Sequence, residues 1–283
     1  MNILLTGGSG FIGRNLLENL KGYNILAPTS TELDLLRRDD LIQYVKSHKI
    51  DIILDCTCWN AYVNPKKDAK LVLVNNIKMF FHISCCSHLV KKIICFGSGA
   101  EYDRPNWKAM MPESYFGHNL PDDDYGISKY VNCLQAARQN NIYNLRLFSV
   151  FGPYEDLKRF VSYCTTKALN KEVIEMNQNR VFDFLYIDDL VKVVENFINH
   201  DFYYRTYNVC TSRGTELLQV ANKVIKTVGH DVSVKIKKAG MDREYTGDNS
   251  LLMQEMEFQF EDIDVSILKL VEWYRSLQDF FPG

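Results

Sequence analysis

Strand-like and helix-like segments alternate through the first half of the chain. Short apolar runs of strand length cover residues 2–6, 23–27, 52–56 and 92–96. Segments that favour helices cover residues 11–20 and 39–48. The runs at 52–56 and 92–96 do not alternate polar and apolar residues, which is typical of strands buried on both faces of a parallel sheet. The pattern predicts an α/β fold with a doubly wound parallel sheet.

The regular alternation breaks down after Gly152. Beyond it we expect a helix at residues 160–169, a strand near 182–187 followed by a helix, a polar and irregular tail from Asp231, and a closing helix around 265–277. Residues 1–152 are therefore predicted to form the sheet domain, which also receives parts of about 181–210. Residues 153–283 are predicted to form a smaller, partly interleaved lobe.

Charge and composition narrow the classes of partner. The chain of 283 residues is 46% hydrophobic and has a formal net charge of -2, so no excess of positive charge indicates nucleic-acid binding. The sequence contains neither a secretory leader pattern nor an apolar run long enough to cross a bilayer, and we expect a cytoplasmic protein with no membrane partner. Its eight cysteines form no paired C-x-x-C set, so buried thiols are favoured over metal ligands and no metal site is predicted.

A glycine-rich loop joins the first predicted strand to the first predicted helix. It reads Thr-Gly-Gly-Ser-Gly-Phe-Ile-Gly over residues 6–13. Gly7 allows a tight turn, Gly10 lets the backbone approach a pyrophosphate, and Gly13 lets the helix pack closely on the strand. The helix N-terminus would then face the phosphates of a dinucleotide. The alternative is a glycine-rich turn that binds nothing.

The end of the second predicted strand bears on the choice of dinucleotide. An NAD site usually has an acid there that binds the ribose 2′-hydroxyl, but this strand ends Ala-Pro-Thr-Ser at residues 27–30. Arg14 could pair with a 2′-phosphate, and Thr29 or Ser30 could donate to it. NADP is therefore favoured, although NAD stays possible and Arg14 could equally be a solvated helix residue.

Tyr125 and Lys129 are four residues apart on a predicted helix, so both side chains project from one face. A phenol has a reference pKa near ~10, and a neighbouring ammonium group favours its ionised form. Such a pair is common by itself. Ser98, however, follows the predicted strand at 92–96, where loops at the carboxyl ends of parallel strands form the ligand crevice. The three side chains are the predicted catalytic set.

The glycine loop, Ser98 and the Tyr125/Lys129 pair, in this order, resemble the extended short-chain dehydrogenase/reductase family, also called the NAD-dependent epimerase/dehydratase family. Further resemblances lie at residues 145–153, 184–189 and 207–209. The resemblance implies a Rossmann-type domain with a substrate-binding lobe and a homodimer formed through helices that follow Ile77 and Tyr125. The cofactor contacts that the motifs and the resemblance together indicate are Gly7, Gly10, Phe11, Ile12, Gly13, Arg14, Ser30, Asp34, Asn75, Tyr125 and Lys129.

Departures from the family pattern narrow the activity. Dehydratases carry an Asp-Glu pair where this chain has Gly99 and Ala100, and the epimerising Cys of GDP-fucose synthases is replaced by Ala100. The His acid of those synthases falls near Arg159. The family's diphosphate-binding Arg is Phe182 here, which leaves Arg180 and Arg159 as candidates for the nucleotide diphosphate, beside Ser98 and Tyr125 as substrate contacts.

What remains is hydride transfer at one carbon. We expect a GDP-fucose-synthase-like reductase that uses NADPH to reduce the keto group, at C4, of a nucleotide-linked 4-keto-6-deoxysugar. Three alternatives stay open: a nucleotide-sugar 4-epimerase, a non-catalytic module that binds a dinucleotide for regulation, and a reductase of a carbonyl compound without a nucleotide.

Overall fold

The computed structural model describes residues 1–59 and 67–280. In chain order its strands are β1 (Asn2–Thr6), β2 (Asn24–Leu26), β3 (Ile52–Asp55), β4 (Lys92–Ser98), β5 (Ile142–Leu147), β6 (Ser149–Phe151), β7 (Ile174–Asn179), β8 (Val181–Tyr186), β9 (Thr206–Val209), β10 (Gly214–Glu216) and β11 (Val234–Met241). Its α-helices are α1 (Phe11–Asn19), α2 (Arg38–Ser47), α3 (Val72–Ser84), α4 (Asp124–Ala136), α5 (Phe160–Leu169), α6 (Ile187–Asn199), α7 (Leu217–Val228), α8 (Ser250–Glu255) and α9 (Ile263–Phe280).

Six parallel strands form the central sheet in the order β2-β1-β3-β4-β5-β9. Every residue of β3 and β5 is buried, which is why their sequences lack a polar face. The predicted doubly wound α/β fold is confirmed. The chain runs outward from β1 in both directions, and such a switch point creates a crevice at the carboxyl ends of the strands. The glycine loop after β1 and Ser98 at the end of β4 both lie at that edge.

A smaller part of the molecule covers this edge. It contains the three-stranded sheet β10-β8-β6 and the pair β11-β7. A continuous hydrophobic core joins it to the central sheet, since Leu5 and Leu54 belong to the same buried cluster as Val161 and Leu185. Residues 207–209, which resemble a landmark of the substrate lobe, lie in β9 at the edge of the central sheet. The crevice thus has walls from both parts of the chain.

The tail after Asp231 is more regular than the sequence predicts. Instead of an irregular segment, residues 234–241 form β11, which pairs in parallel with β7. Almost the whole strand is exposed. Apolar and polar residues alternate over 232–237 (Val-Ser-Val-Lys-Ile-Lys), a strand pattern that the expectation of an irregular tail overlooked. No helix of the described residues is long and apolar enough to span a membrane.

Candidate active site

The glycine loop packs too tightly for side chains at two of its positions. Gly7 has a φ of +70°, and a Cβ there would lie 2.7 Å from the carbonyl oxygen of Cys56. A Cβ on Gly13 would lie 2.3 Å from the carbonyl oxygen of Gly7. Gly10 precedes α1, and no described side chain caps this helix, so its first N–H groups are free to bind an anion. These features fit a dinucleotide pyrophosphate.

The loop after β2 contains an acid that the strand end lacks. Glu32 folds back so that its carboxylate accepts from the Thr29 backbone N–H at 2.7 Å and from the Thr29 hydroxyl at 2.9 Å. These two bonds lower the pKa of Glu32. Ser30 is exposed beside it. Asp34, also exposed, accepts from the backbone N–H of Leu36. A carboxylate thus lies in the loop after β2, a feature that the end of the strand does not predict.

Arg14 has partners other than the residues after β2. Its Nε lies 3.0 Å from Glu18 Oε1, and its guanidinium stacks 3.6 Å from the ring centre of Tyr154. The side chain holds α1 against the turn that follows β6. The contact of Arg14 with a 2′-phosphate stays a prediction. Asn75 is buried in α3, while the neighbouring Asn76 accepts from the backbone N–H of Trp59.

Ser98, Tyr125 and Lys129 line one cavity of about 780 Å³ at the carboxyl edge of the sheet. Phe11 and Ile12 of the glycine-loop helix line it as well. The Lys129 Nζ donates to the backbone carbonyl of Phe96 at 2.6 Å and lies 5.9 Å from the ring centre of Tyr125. The three predicted catalytic residues are therefore together, next to the predicted dinucleotide loop.

Electrostatics keep Tyr125 protonated and Lys129 charged at neutral pH. Burial raises the pKa of Tyr125, while Lys129 and the Ser98 hydroxyl act in the opposite direction without cancelling it. For Lys129, burial lowers the pKa, but the surrounding groups, Tyr125 first, raise it by more. A neutral phenol beside a fixed ammonium can donate a proton and have the resulting phenolate stabilised.

The Ser98 hydroxyl is oriented by its own chain. Ser98 precedes a short 3-10 helix, Gly99–Tyr102, and its Oγ accepts from the Ala100 backbone N–H at 3.1 Å. Because the oxygen accepts this bond, the hydroxyl proton is available for a donor bond into the cavity. Ala100 itself is buried and carries no ionisable group.

Tyr245 adds a second phenol that the sequence analysis did not identify. A Cβ on Gly99 would lie 2.4 Å from the Tyr245 hydroxyl oxygen, so this hydroxyl fills the space of the missing side chain beside Ser98. The Tyr245 ring stacks on Trp107 with 3.9 Å between ring centres, and both residues line the cavity. Burial raises the pKa of Tyr245, which keeps it a neutral hydrogen-bond donor. Nothing near Tyr245 in the sequence signals this contact.

The two arginines predicted for substrate have different positions. Arg159 lines the cavity, and its Nε lies 2.7 Å from Oε1 of the buried Glu155. Burial raises the pKa of Glu155, although Arg159 and Ser162 favour its charged form. Arg180 pairs with Asp242 and is not among the described residues that line the cavity. The structure thus brings Arg159, and not Arg180, to Ser98 and Tyr125.

In the described part of the chain, no group of three or more His, Cys, Asp or Glu side chains could hold a metal ion. The eight cysteines are free thiols, and five of them are buried: Cys86, Cys95, Cys133, Cys164 and Cys210.

Comparisons with known proteins agree on the fold. The model of the NAD dependent epimerase/dehydratase family matches residues 3–210. GDP-L-colitose synthase of Yersinia pseudotuberculosis is 24% identical over 97% of this chain and 98% of its own length. GDP-6-deoxy-D-talose 4-dehydrogenase of Aggregatibacter actinomycetemcomitans is 25% identical over 83% of each chain. A GDP-mannoheptose C4 reductase from Campylobacter jejuni, solved with NADP bound, superposes with a TM-score of 0.82 at 21% identity, covering 97% of this chain and 98% of that one.

Proposed function

The chain belongs to the NAD dependent epimerase/dehydratase family, and from this premise we propose that it uses NADPH to reduce the C4 keto group of a nucleotide-linked 4-keto-6-deoxysugar. Relatives that modify nucleotide sugars support the substrate class. The observation that carries the proposal is the convergence of Ser98, Tyr125 and Lys129 in one cavity. In the sequence, Ala100 and Arg159 stand in place of the further acid/base groups of epimerising relatives.

Each of the three residues has a separate task in this reaction. The bound dinucleotide supplies the hydride to the carbonyl carbon. Tyr125 transfers its phenolic proton to the carbonyl oxygen as that oxygen gains negative charge. Ser98 donates a hydrogen bond to the same oxygen, and the bond strengthens as the charge develops. Lys129 stabilises the phenolate left on Tyr125 and would hold the ribose of the bound dinucleotide.

The choice of NADPH rests on the end of β2. Thr29 and Ser30 stand where an NAD site usually has an acid. The Ser30 hydroxyl can donate to a 2′-phosphate, whereas the Thr29 hydroxyl already donates its proton to Glu32. Glu32 is tied to Thr29, so its charge limits the preference for the phosphorylated dinucleotide without abolishing it. The nucleotide diphosphate of the substrate is assigned to Arg159, whose exposed side chain lies on the cavity wall.

The test is consumption of reduced dinucleotide by the purified protein. NADPH and NADH are offered in parallel with GDP-, dTDP-, CDP- and UDP-linked 4-keto-6-deoxysugars, and the loss of nicotinamide absorbance is followed. We expect NADPH consumption with one of the four nucleotides. Interconversion of C4 epimers by a protein that holds its dinucleotide tightly, without net consumption, would identify a 4-epimerase instead. Dinucleotide binding without either reaction would indicate a non-catalytic module.

We also propose a homodimer in the cytoplasm. Phe80 of α3 is buried in the core, but Val74 and Phe81 of the same helix and Leu134 of α4 are exposed apolar residues. An apolar face on two packed helices is typical of an interface. Val74→Glu is expected to convert the dimer to a monomer in light scattering, and a monomeric wild-type protein would contradict the proposal. Unpaired thiols throughout the chain favour a reducing compartment.

A further inference from the structure

A buried carboxylate lies directly behind the predicted catalytic serine. Glu101, three residues after Ser98, has no exposed surface. Its Oε1 accepts from the Ser98 backbone N–H at 3.0 Å. The proposed reaction gives this carboxylate no task, since it is not among the described residues that line the cavity. A charge buried this deeply is costly unless its partners compensate, so its presence calls for a reason.

Arg146 is the compensating partner. Its Nε and Nη2 both lie 2.8 Å from Glu101 Oε2, and its side chain is 1% exposed. Its Nη1 donates to the Tyr102 hydroxyl at 2.7 Å and to Asn208 Oδ1 at 3.2 Å. The guanidinium therefore engages Oε2, while Oε1 accepts from the Ser98 N–H. The side-chain amide of Asn144 also lies 3.3 Å from Oε1 and 3.4 Å from Oε2. Because Arg146 binds one carboxylate oxygen and Ser98 binds the other, the orientation of the Glu101 side chain relative to β4 is fixed.

The strand is adapted to this arrangement. A Cβ on Gly97 would lie 2.2 Å from Glu101 Oε1, so only glycine leaves the carboxylate its place next to Ser98. The preceding residue, Phe96, accepts from Lys129. The end of β4 thus carries Ser98 and also accepts a hydrogen bond from the ammonium group of Lys129 in α4. Glu101 accepts from the last backbone N–H of this strand, that of Ser98.

Stability alone is a weak explanation of such a pair. Buried ion pairs can often be replaced by apolar side chains of similar size with no loss of stability, because the cost of removing two charges from water offsets their attraction. What an apolar pair cannot supply is an acceptor for the Ser98 N–H. The distinctive contribution of Glu101 is therefore geometric.

We propose that Glu101 is a positioning residue that fixes the Ser98 hydroxyl for the reaction by accepting from the Ser98 backbone N–H, with Arg146 holding the carboxylate in place. This inference rests on the proposed function only for its kinetic readout. Ser98 is then held twice, at its backbone by Glu101 and at its hydroxyl by the Ala100 N–H. Loss of the hydrogen bond between Glu101 and the Ser98 backbone would let the end of β4 move relative to Tyr125.

Two double variants separate positioning from charge and from stability. Glu101→Gln with Arg146→Met removes both charges but keeps an acceptor for Ser98. Glu101→Met with Arg146→Met also removes both charges, but it leaves the Ser98 N–H without this acceptor. We expect the Met variant to have a kcat about tenfold to a hundredfold below that of the Gln variant, the size of effect that a small misplacement produces. Dinucleotide affinity should be alike in the two, and the Met variant should lose no more Tm than one unmade hydrogen bond costs.

Equal kcat values in the two variants would overturn the proposal, as would a kcat difference matched by an equal loss of dinucleotide affinity. Two readouts need no substrate. In crystal structures with bound dinucleotide, the Ser98 Oγ should be displaced only in the Met variant. In the unaltered protein, the Ser98 amide should exchange with deuterium as slowly as the interior of β4. Rapid exchange there would overturn the proposal even if neither variant folds. Failure of the proposed function would instead appear as a wild-type protein that consumes no reduced dinucleotide.

Discussion

The two walls of the cavity differ in how the chain specifies them. One wall comes from β4 and α4, where Ser98, Tyr125 and Lys129 follow each other within a single β-strand, loop and helix. The other wall comes from the last third of the chain, where Tyr245 reaches Ser98 by filling the space above Gly99. The residues of the first wall can be recognised from local sequence, whereas those of the second come together only through tertiary contacts. Variants on each wall test whether chemistry resides in the first and substrate placement in the second.

The largest effect is expected at Tyr125 on the first wall. Tyr125→Phe removes the proton donor while leaving the ring and Lys129 in place. We expect kcat to fall by about a thousandfold, within the usual range for loss of a general acid, with dinucleotide affinity nearly unchanged. Steady-state kinetics and dinucleotide titration measure both quantities. A variant that keeps most of its turnover would remove Tyr125 from the mechanism.

The next largest effect is expected on the free energy of unfolding, at a residue next to the second wall. Asp183 of β8 lies between Phe182 and Phe184, which line the cavity, and burial raises its pKa from 3.8 to about 6. Its Oδ1 accepts from Thr211, while its Oδ2 has no hydrogen-bond partner among the described residues. Because the folded protein binds this proton more tightly than the unfolded chain, the group costs stability increasingly as pH rises from about 4 to 6.

Asp183→Asn removes that cost. We expect the free energy of unfolding at pH 7 to increase by about 3 kcal/mol, and the gain to vanish near pH 4, where Asp183 is protonated in the folded protein and carries no charge. Denaturant unfolding at the two pH values provides the measurement. A gain of equal size at both would mean that packing, and not ionisation, is responsible.

A smaller effect is expected at Tyr245. Tyr245→Phe keeps the stack on Trp107 but removes the hydroxyl beside Ser98. Loss of one hydrogen bond of ordinary strength predicts an increase in KM of about tenfold, with little change in kcat. Tyr203→Phe is the matched control, since Tyr203 is exposed and does not line the cavity. A fall in kcat with unchanged KM would place Tyr245 in the chemical step and erase the contrast between the walls.

The smallest effect is expected at Glu32, outside both walls. Glu32→Gln keeps an acceptor for the Thr29 hydroxyl but removes the negative charge near the ribose. We expect the ratio of kcat/KM with NADPH to that with NADH to rise about threefold, as for an exposed and screened charge. An unchanged ratio would show that Glu32 does not face the dinucleotide.

The predictable part of the molecule is the part where function follows local sequence. The central sheet was predicted because its strands are apolar on both faces. The glycine loop was predicted because its pattern of glycines occurs between a predicted strand and a predicted helix. Tyr245 and Glu101 were missed, since a tyrosine or a glutamate has no local signal for a contact made through folding. Arg14 and Arg180 were assigned by position, but the structure also gives them the partners Tyr154 and Asp242, which sequence spacing does not reveal. The i,i+4 pair of Arg14 with Glu18 is the one contact that spacing on a helix could have indicated.

The proposed reaction moves a hydride from bound dinucleotide to the keto carbon of the sugar. The most direct measurement uses NADPH deuterated at the transferred position together with the 4-keto-6-deoxysugar nucleotide that is consumed, and follows the product by NMR. We expect one deuterium at C4 of each product molecule, formed in step with oxidised dinucleotide. Product formed without deuterium at C4, or a change at C4 without net oxidation of the dinucleotide, would overturn the proposed reduction.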